Sequence, residues 1–162
     1  MRVMGSRRRR YRNAAGEQLE LQIRRLRCPC RRIHHELPDL LVPYKRYAAD
    51  CVERALAEPA NKVAVAADES TLRRWRRWVE NSSAYWQGCR ESIGLRFGHE
   101  AVQGWPDLAQ TAHPRGGHGW REGVGWLRHL VRSVVNANLW RQTRWAFLSA
   151  PAFDRLIAVE GR

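Results

Sequence analysis

An α+β fold, a small N-terminal β-hairpin followed by a mainly α-helical body, is what these 162 residues predict. Three observations lead there. Residues 19–24 alternate apolar and polar directly after an Asn13…Gly16 turn, the period-two signature of a hairpin strand. Leu72, Trp75, Trp78 and Val79 fall on one arc at about 100° per residue, the period of an amphipathic helix. That period returns after Val124 in Leu127, Leu130, Val131, Val134 and Val135. Apolar residues make up 44% of the chain, enough to build a core around these elements.

The first unit spans residues 1–47. Its arginine run, Ser6 to Arg12, forms one strand; the second places Leu19, Leu21 and Ile23 on one face and Glu20, Gln22 and Arg24 on the other. Two strands alone are marginal in water, so the narrow apolar face needs a cover or the end needs a staple. Cys28-Pro29-Cys30, with His34 and His35 just beyond, is the staple candidate. Structural zinc takes four tetrahedral Cys or His ligands, most readily from C-x-x-C turns. The spacing here is C-x-C, Cys51 and Cys89 stand apart, and adjacent histidines on an extended segment point to opposite faces. Cys28 and Cys30 are therefore expected as a degenerate half-site with free thiols. No cofactor is expected, zinc being the one ion such a half-site could take. Pro38 and Pro43 then bracket an apolar extended segment before Tyr44-Lys45-Arg46-Tyr47. The two tyrosines are expected to pack on the following helix, and Lys45 and Arg46 are candidates for a sugar–phosphate backbone.

Residues 48–80 read as a helix-turn-helix. A first helix runs from Ala48 to Glu58, with Val52, Ala55 and Leu56 inward, and Pro59 ends it. Asn61 caps a short second helix through Ala66. Asp68 caps a third, Glu69 to Glu80, by accepting from first-turn amides, and Glu69 suits the positive end of its dipole. Arg73, Arg74, Arg76 and Arg77 fall opposite the tryptophan-backed arc. An apolar back and an arginine front are what a recognition helix needs: the back packs, and the front meets phosphates or bonds guanine edges in the major groove.

A boundary is expected near Asn81-Ser82-Ser83, followed by a Gly/Pro-rich linker over 81–123. Nine of the twelve glycines lie between Gly88 and Gly125, with Trp105-Pro106 and the run His113 to Gly119. Cys89, His99, His113 and His118 read as loop residues without ligand spacing. Residues 124–162 form the C-terminal helical segment, with Arg128 and Arg132 outside. Asn136-Ala-Asn138 caps or breaks it, and Leu139 to Leu148 continues in helical register. Trp126, Trp140 and Trp145 are core anchors or, alternatively, docking residues for a homodimer or a partner protein.

Charge directs the functional reading. The net charge is +13, and residues 1–47 alone carry 13 basic against 4 acidic side chains. Such a surface attracts polyanions, nucleic acid before anionic membrane. Lysine occurs only at positions 45 and 62, so the arginine preference can also reflect a GC-rich genome. The apolar run Val63 to Ala67 falls far short of the ~20 residues of a membrane span. An arginine-rich beginning is not a secretory signal, and four cysteines do not make a disulfide framework, so a cytoplasmic protein is expected. No catalysis is expected: metal-dependent strand transfer needs converging carboxylates, and a nucleophilic cysteine needs a histidine partner. The acidic residues are scattered, and neither Cys51 nor Cys89 has such a partner nearby in sequence.

The runs Ile23 to Asp39, Val42-Pro-Tyr-Lys-Arg-Tyr47 and Asp68-Glu-Ser-Thr-Leu-Arg-Arg-Trp-Arg-Arg-Trp78 resemble a bacterial domain-of-unknown-function family, number 6431. The resemblance covers residues 5–80. It implies a zinc ribbon plus helix-turn-helix, similar to the N-terminal region of transposases and mobile-element proteins. Two departures fall on the ribbon. The family's first C-x-x-C, which precedes Gly5-Ser6-Arg7, is missing, and the second pair is one residue short at Cys28-Pro29-Cys30. They imply a shortened chain or a member that no longer binds zinc. Together these readings point to a protein that binds double-stranded DNA, transposase- or mobile-element-related, through Arg73, Arg74, Arg76, Arg77, Lys45, Arg46, Arg8 and Arg9. The alternative is a non-catalytic structural or protein-interaction module built on the Trp-rich C-terminal helices.

Overall fold

The computed structural model describes residues 1–29, 31–58, 62–106 and 125–140, and the backbone of 145–146. Its architecture is α+β. Strands β1 (Arg2–Arg12), β2 (Gln18–Arg27) and β3 (Ile33–Glu36) form an antiparallel sheet, and β4 (Trp145–Ala146) adds to β3 in parallel. Helices α1 (Ala49–Ala57), α2 (Glu69–Phe97) and α3 (Trp126–Asn136) pack beside it, with a 3₁₀ turn at His99–Val102.

The hairpin forms where the alternation predicts it. Asn13 organises the turn: its side-chain oxygen accepts from the Glu17 amide at 3.0 Å, and its backbone oxygen accepts from Gly16 at 3.0 Å. Gly16 sits at φ +83°, and a Cβ there would stand 2.9 Å from the Ala66 Cβ, so only glycine fits. Pairing sets Tyr11 opposite Leu19, Arg9 opposite Leu21 and Arg7 opposite Ile23, which assigns those arginines to the apolar face. The cover for this face is the rest of the protein. Ile23 joins a core made by Leu37, Leu41 and Val42, Val52 and Ala55 of α1, Trp75, Val79, Trp86 and Ile93 of α2, and Leu127, Leu130, Val131 and Val134 of α3. The third strand was not legible, because Ile33-His-His-Glu36 is short and lacks alternation.

Three expectations need correction. No short helix spans 62–66. That segment is extended and irregular, with Val65 buried, the Ala66 amide bonded to the Ala14 oxygen at 2.8 Å, and the Ala64 amide bonded to the Glu58 carboxylate at 3.0 Å. Bonding back to the hairpin and α1 satisfies the backbone without a helix. Among the described residues there is thus no compact helix-turn-helix: α1 ends at Ala57, α2 begins at Glu69, and residues 62–66 are not helical. Second, α2 does not stop at Glu80. It runs for 29 residues, from Glu69 to Phe97, so Asn81-Ser82-Ser83 lies inside a helix and Cys89 is buried on it rather than in a loop. Ser83 donates to the Glu80 oxygen at 2.8 Å, and this internal bond lets a serine sit mid-helix. Gly98, at φ +87°, ends the helix. Third, the helical register does not continue past Asn138. That residue adopts φ +57° beyond α3, and Trp145–Ala146 is strand. His113 and His118 lie outside the described residues.

Asp68 caps α2 as predicted. Its carboxylate accepts from the Thr71 amide and the Thr71 hydroxyl, both at 2.8 Å, and from the Ser70 hydroxyl, which together hold its pKa far below the ordinary carboxylate range. A second cap was invisible in sequence. Glu53, buried on α1, accepts from the amides of Gly125 (2.9 Å) and Leu127 (2.8 Å) and so closes the N-terminus of α3. Burial raises its pKa, against the lowering effect of those amides and of Arg128. The folded state therefore holds this proton more tightly than the unfolded chain does. Its pH-linked contribution is fully present below the ordinary glutamate pKa and is lost as pH rises through the raised value. Glu53→Ala leaves two buried amides without an acceptor and should cost about 1–3 kcal/mol in urea unfolding. Glu53→Gln should keep part of the cap and remove the pH dependence.

Candidate nucleic-acid interface

The eight basic residues singled out in the sequence do not share one role. Arg73, Arg74 and Arg77 are exposed on α2, and Arg46 is exposed on the loop before α1. Arg73 stands 3.9 Å from Glu69, an exposed pair of little energetic weight. Arg74 bonds back along its own helix, to the Ser70 oxygen at 3.3 Å and the Thr71 hydroxyl at 2.9 Å, which steers its guanidinium toward the N-terminal turn. Arg77 makes no ion pair among the described residues.

Arg76 and Arg9 are structural. Arg76 lies at the edge of the buried arc. Its guanidinium donates to the oxygens of Ala55 (2.9 Å) and Glu58 (3.2 Å), tying the last turn of α1 to α2. These are the carbonyls that a helix C-terminus leaves without partners. Arg9 is 9% exposed and donates from one nitrogen to the oxygens of Val42 and Lys45, each at 3.0 Å. Burial, with help from Arg7, lowers its pKa to about 10, so it stays charged at neutral pH. Arg8 points to the opposite face of the sheet, where it and Arg10 flank Glu20 at 3.4 and 3.5 Å. On the same face Arg24 is held bidentately by Glu36 at 2.5 and 2.6 Å. The arginine run of β1 therefore makes a less positive surface than its composition implies.

Lys45 is half-buried, with its ammonium 4.0 Å from the centre of the Trp78 ring. Burial first, and the Arg74 charge second, lower its pKa. Tyr47 packs against the core and meets Trp75 of α2 edge-on at 4.9 Å. Tyr44 is 64% exposed. Main-chain bonds join these pieces: the Arg12 amide donates to the Arg46 oxygen at 2.7 Å, and the hairpin turn bonds Ala66, two residues before the α2 cap. The hairpin tip, the 44–47 loop and the first turns of α2 thus meet in one region, where Arg12, Arg46, Arg73, Arg74 and Arg77 are all exposed. Arg12 was missed in the sequence; the signal was its place as the last, outward arginine before the turn.

Among the described residues the zinc half-site gains no further ligand. Cys28 sits half-buried in a turn closed by its amide on the Arg32 oxygen and by the Arg31 amide on its own oxygen, both at 2.9 Å. Cys30 lies outside the described residues. His34 and His35 alternate along β3, and Arg7 and Arg25 join burial in lowering the His35 pKa, a positive environment that disfavours a dication. Among the described residues no group of three or more His, Cys, Asp or Glu side chains could hold a metal ion. The two other described cysteines, Cys51 and Cys89, are buried, and burial pushes the Cys51 thiol up to about 12, away from thiolate chemistry. No described helix is long and apolar enough to cross a membrane.

Neither a curated protein nor a solved structure matches the chain. The model of one family, described as Domain of unknown function (DUF6431), matches residues 1–75. That span takes in the hairpin, β3, α1 and the first turns of α2, including Arg73 and Arg74 but not Arg77. Over its N-terminal 75 residues the chain is thus similar to the domain-of-unknown-function family DUF6431.

Proposed function

We infer that this protein is a non-catalytic binder of double-stranded DNA, using the exposed arginines at the start of α2. The observation that carries this reading is the division of labour among the basic residues. Arg9 and Arg76 are spent on buried carbonyls, while Arg73, Arg74 and Arg77 stay outward beside Arg46 and Arg12. Guanidinium groups clustered on one face and not neutralised by carboxylates release counterions from a phosphate backbone. Asp68 is spent on capping, and Glu69 makes only a weak contact. The loop between α1 and α2 does not support a compact helix-turn-helix docking mode. The better-supported geometry is α2 lying along the duplex with the hairpin tip and residue 46 on flanking phosphates. A role in a mobile element is compatible with this binding but rests on the resemblance alone. The protein-interaction alternative draws less support, since Trp75, Trp86, Trp105 and Trp126 are buried.

The reading is tested by following arginine Nε–H resonances while a 16-base-pair duplex is added. Arg73, Arg74, Arg77 and Arg46 should shift or broaden, and Arg9 and Arg76 should not. Perturbation confined to Arg8, Arg10 and Arg24 would move the interface to the opposite sheet face and overturn the assignment.

A further inference from the structure

One turn beyond the arginines, α2 carries a small aromatic cavity that duplex binding does not use. It is about 180 Å³ and is lined by Trp78, Asn81, Ser82, Tyr85, Trp86 and Trp140. The three indoles line it at mutual angles: Trp78 meets Trp86 edge-on at 5.1 Å, Trp86 and Trp140 are near-parallel at 6.2 Å, and Trp78 and Trp140 are tilted by 55° at 6.4 Å. Tyr85 is pinned by its hydroxyl, which donates to the Leu139 oxygen. Asn81 and Ser82 bring an amide and a hydroxyl, and neither makes a side-chain hydrogen bond among the described residues. Arg74, Trp78, Asn81 and Tyr85 fall within one narrow arc of the helix, so the cavity continues the basic strip.

We propose that this cavity accepts a single unstacked nucleobase of the nucleic acid held by Arg73, Arg74 and Arg77. The proposal rests on the DNA-binding reading. Three features select this occupant. The cavity is below the roughly 300–1,000 Å³ of pockets for drug-sized ligands, so it takes one ring system rather than a cofactor. Indole faces stack on every base, and an amide plus a hydroxyl can bond a base edge. Aromatic cages also suit alkylated ammonium groups, but here Lys45 already places a positive charge over Trp78, with Arg74 close by. A second cation is repelled, whereas a neutral ring on an anionic backbone is attracted.

The test compares the full chain on an intact duplex and on the same duplex carrying one bulged 2-aminopurine. Stacking predicts roughly ten-fold tighter binding of the bulged probe and quenching of its fluorescence. Trp78→Leu should abolish both effects and leave intact-duplex affinity within about two-fold. Asn81→Trp, at an exposed position that leaves the fold unstrained, should block the mouth with the same result. Equal, salt-dependent affinity for both probes without quenching overturns the cavity proposal and leaves the arginine interface standing. Failure of both probes to bind overturns the DNA reading, and the cavity proposal with it. Preferential capture of a trimethyl-lysine peptide also overturns the proposal.

Discussion

Arg9→Leu should lower the unfolding free energy by about 2–4 kcal/mol in urea titrations, while Arg8→Leu, one residue away, should change it by less than about 0.5 kcal/mol. The contrast follows from the alternation of β1. Arg9 faces inward and is the only charged group donating to the oxygens of Val42 and Lys45 among the described contacts. A leucine fills much of the space but leaves the part-buried Lys45 oxygen without this donor and the buried Val42 oxygen with the Lys45 amide at 3.2 Å. Hydrogen bonds to charged groups contribute about 1.5–3 kcal/mol each, and two are lost here. Arg8, with its side chain 82% exposed, has only the loose Glu20 contact to lose. The Arg9 variant should also loosen the 42–47 loop and so weaken DNA binding indirectly. Equal, small effects at both positions would mean that the arginine run is a solvated strand face throughout.

Much of the scaffold was legible because it depends on local rules. The Asn13…Gly16 turn, the alternation of Leu19, Leu21 and Ile23, and the Asp68 cap each require only a few neighbouring residues, and the structure places all of them. The C-terminal helix was legible from Leu127, Leu130, Val131 and Val134 for the same reason. What was hidden depends on partners distant in sequence. Glu53 finds its amides more than seventy residues away. Arg76 looks like its neighbours in a helical projection, and only the approach of the α1 C-terminus turns it inward. Asn81-Ser-Ser83 and Gly88 carry breaker chemistry, but tertiary packing of Val79, Ser83, Trp86, Cys89 and Ile93 holds the helix through them. Lys62 to Ala66 has no helix because the hairpin turn claims the Ala66 amide.

The second large effect is on binding. Arg73→Ala/Arg74→Ala/Arg77→Ala should weaken duplex affinity on the order of 100-fold at moderate salt, with the thermal midpoint little changed. Arg76→Ala should do the reverse. It should destabilise the fold by about 1–3 kcal/mol, through the bare oxygens of Ala55 and Glu58, and leave the affinity of the folded protein nearly intact. A sequence-level view treats the four arginines as equivalent; the structure separates one clamp from three exposed charges. If all four single alanine variants lost affinity equally, at unchanged stability, that separation would be wrong.

The salt dependence of duplex affinity tests the central claim most directly. Each phosphate neutralised contributes about −0.9 to the slope of log K against log salt. The native chain should show a slope of about −3 or steeper, and the triple alanine variant should lose nearly three units of it. A native slope near zero, or one that the triple variant retains, would contradict the assignment of Arg73, Arg74 and Arg77 as the phosphate-holding face.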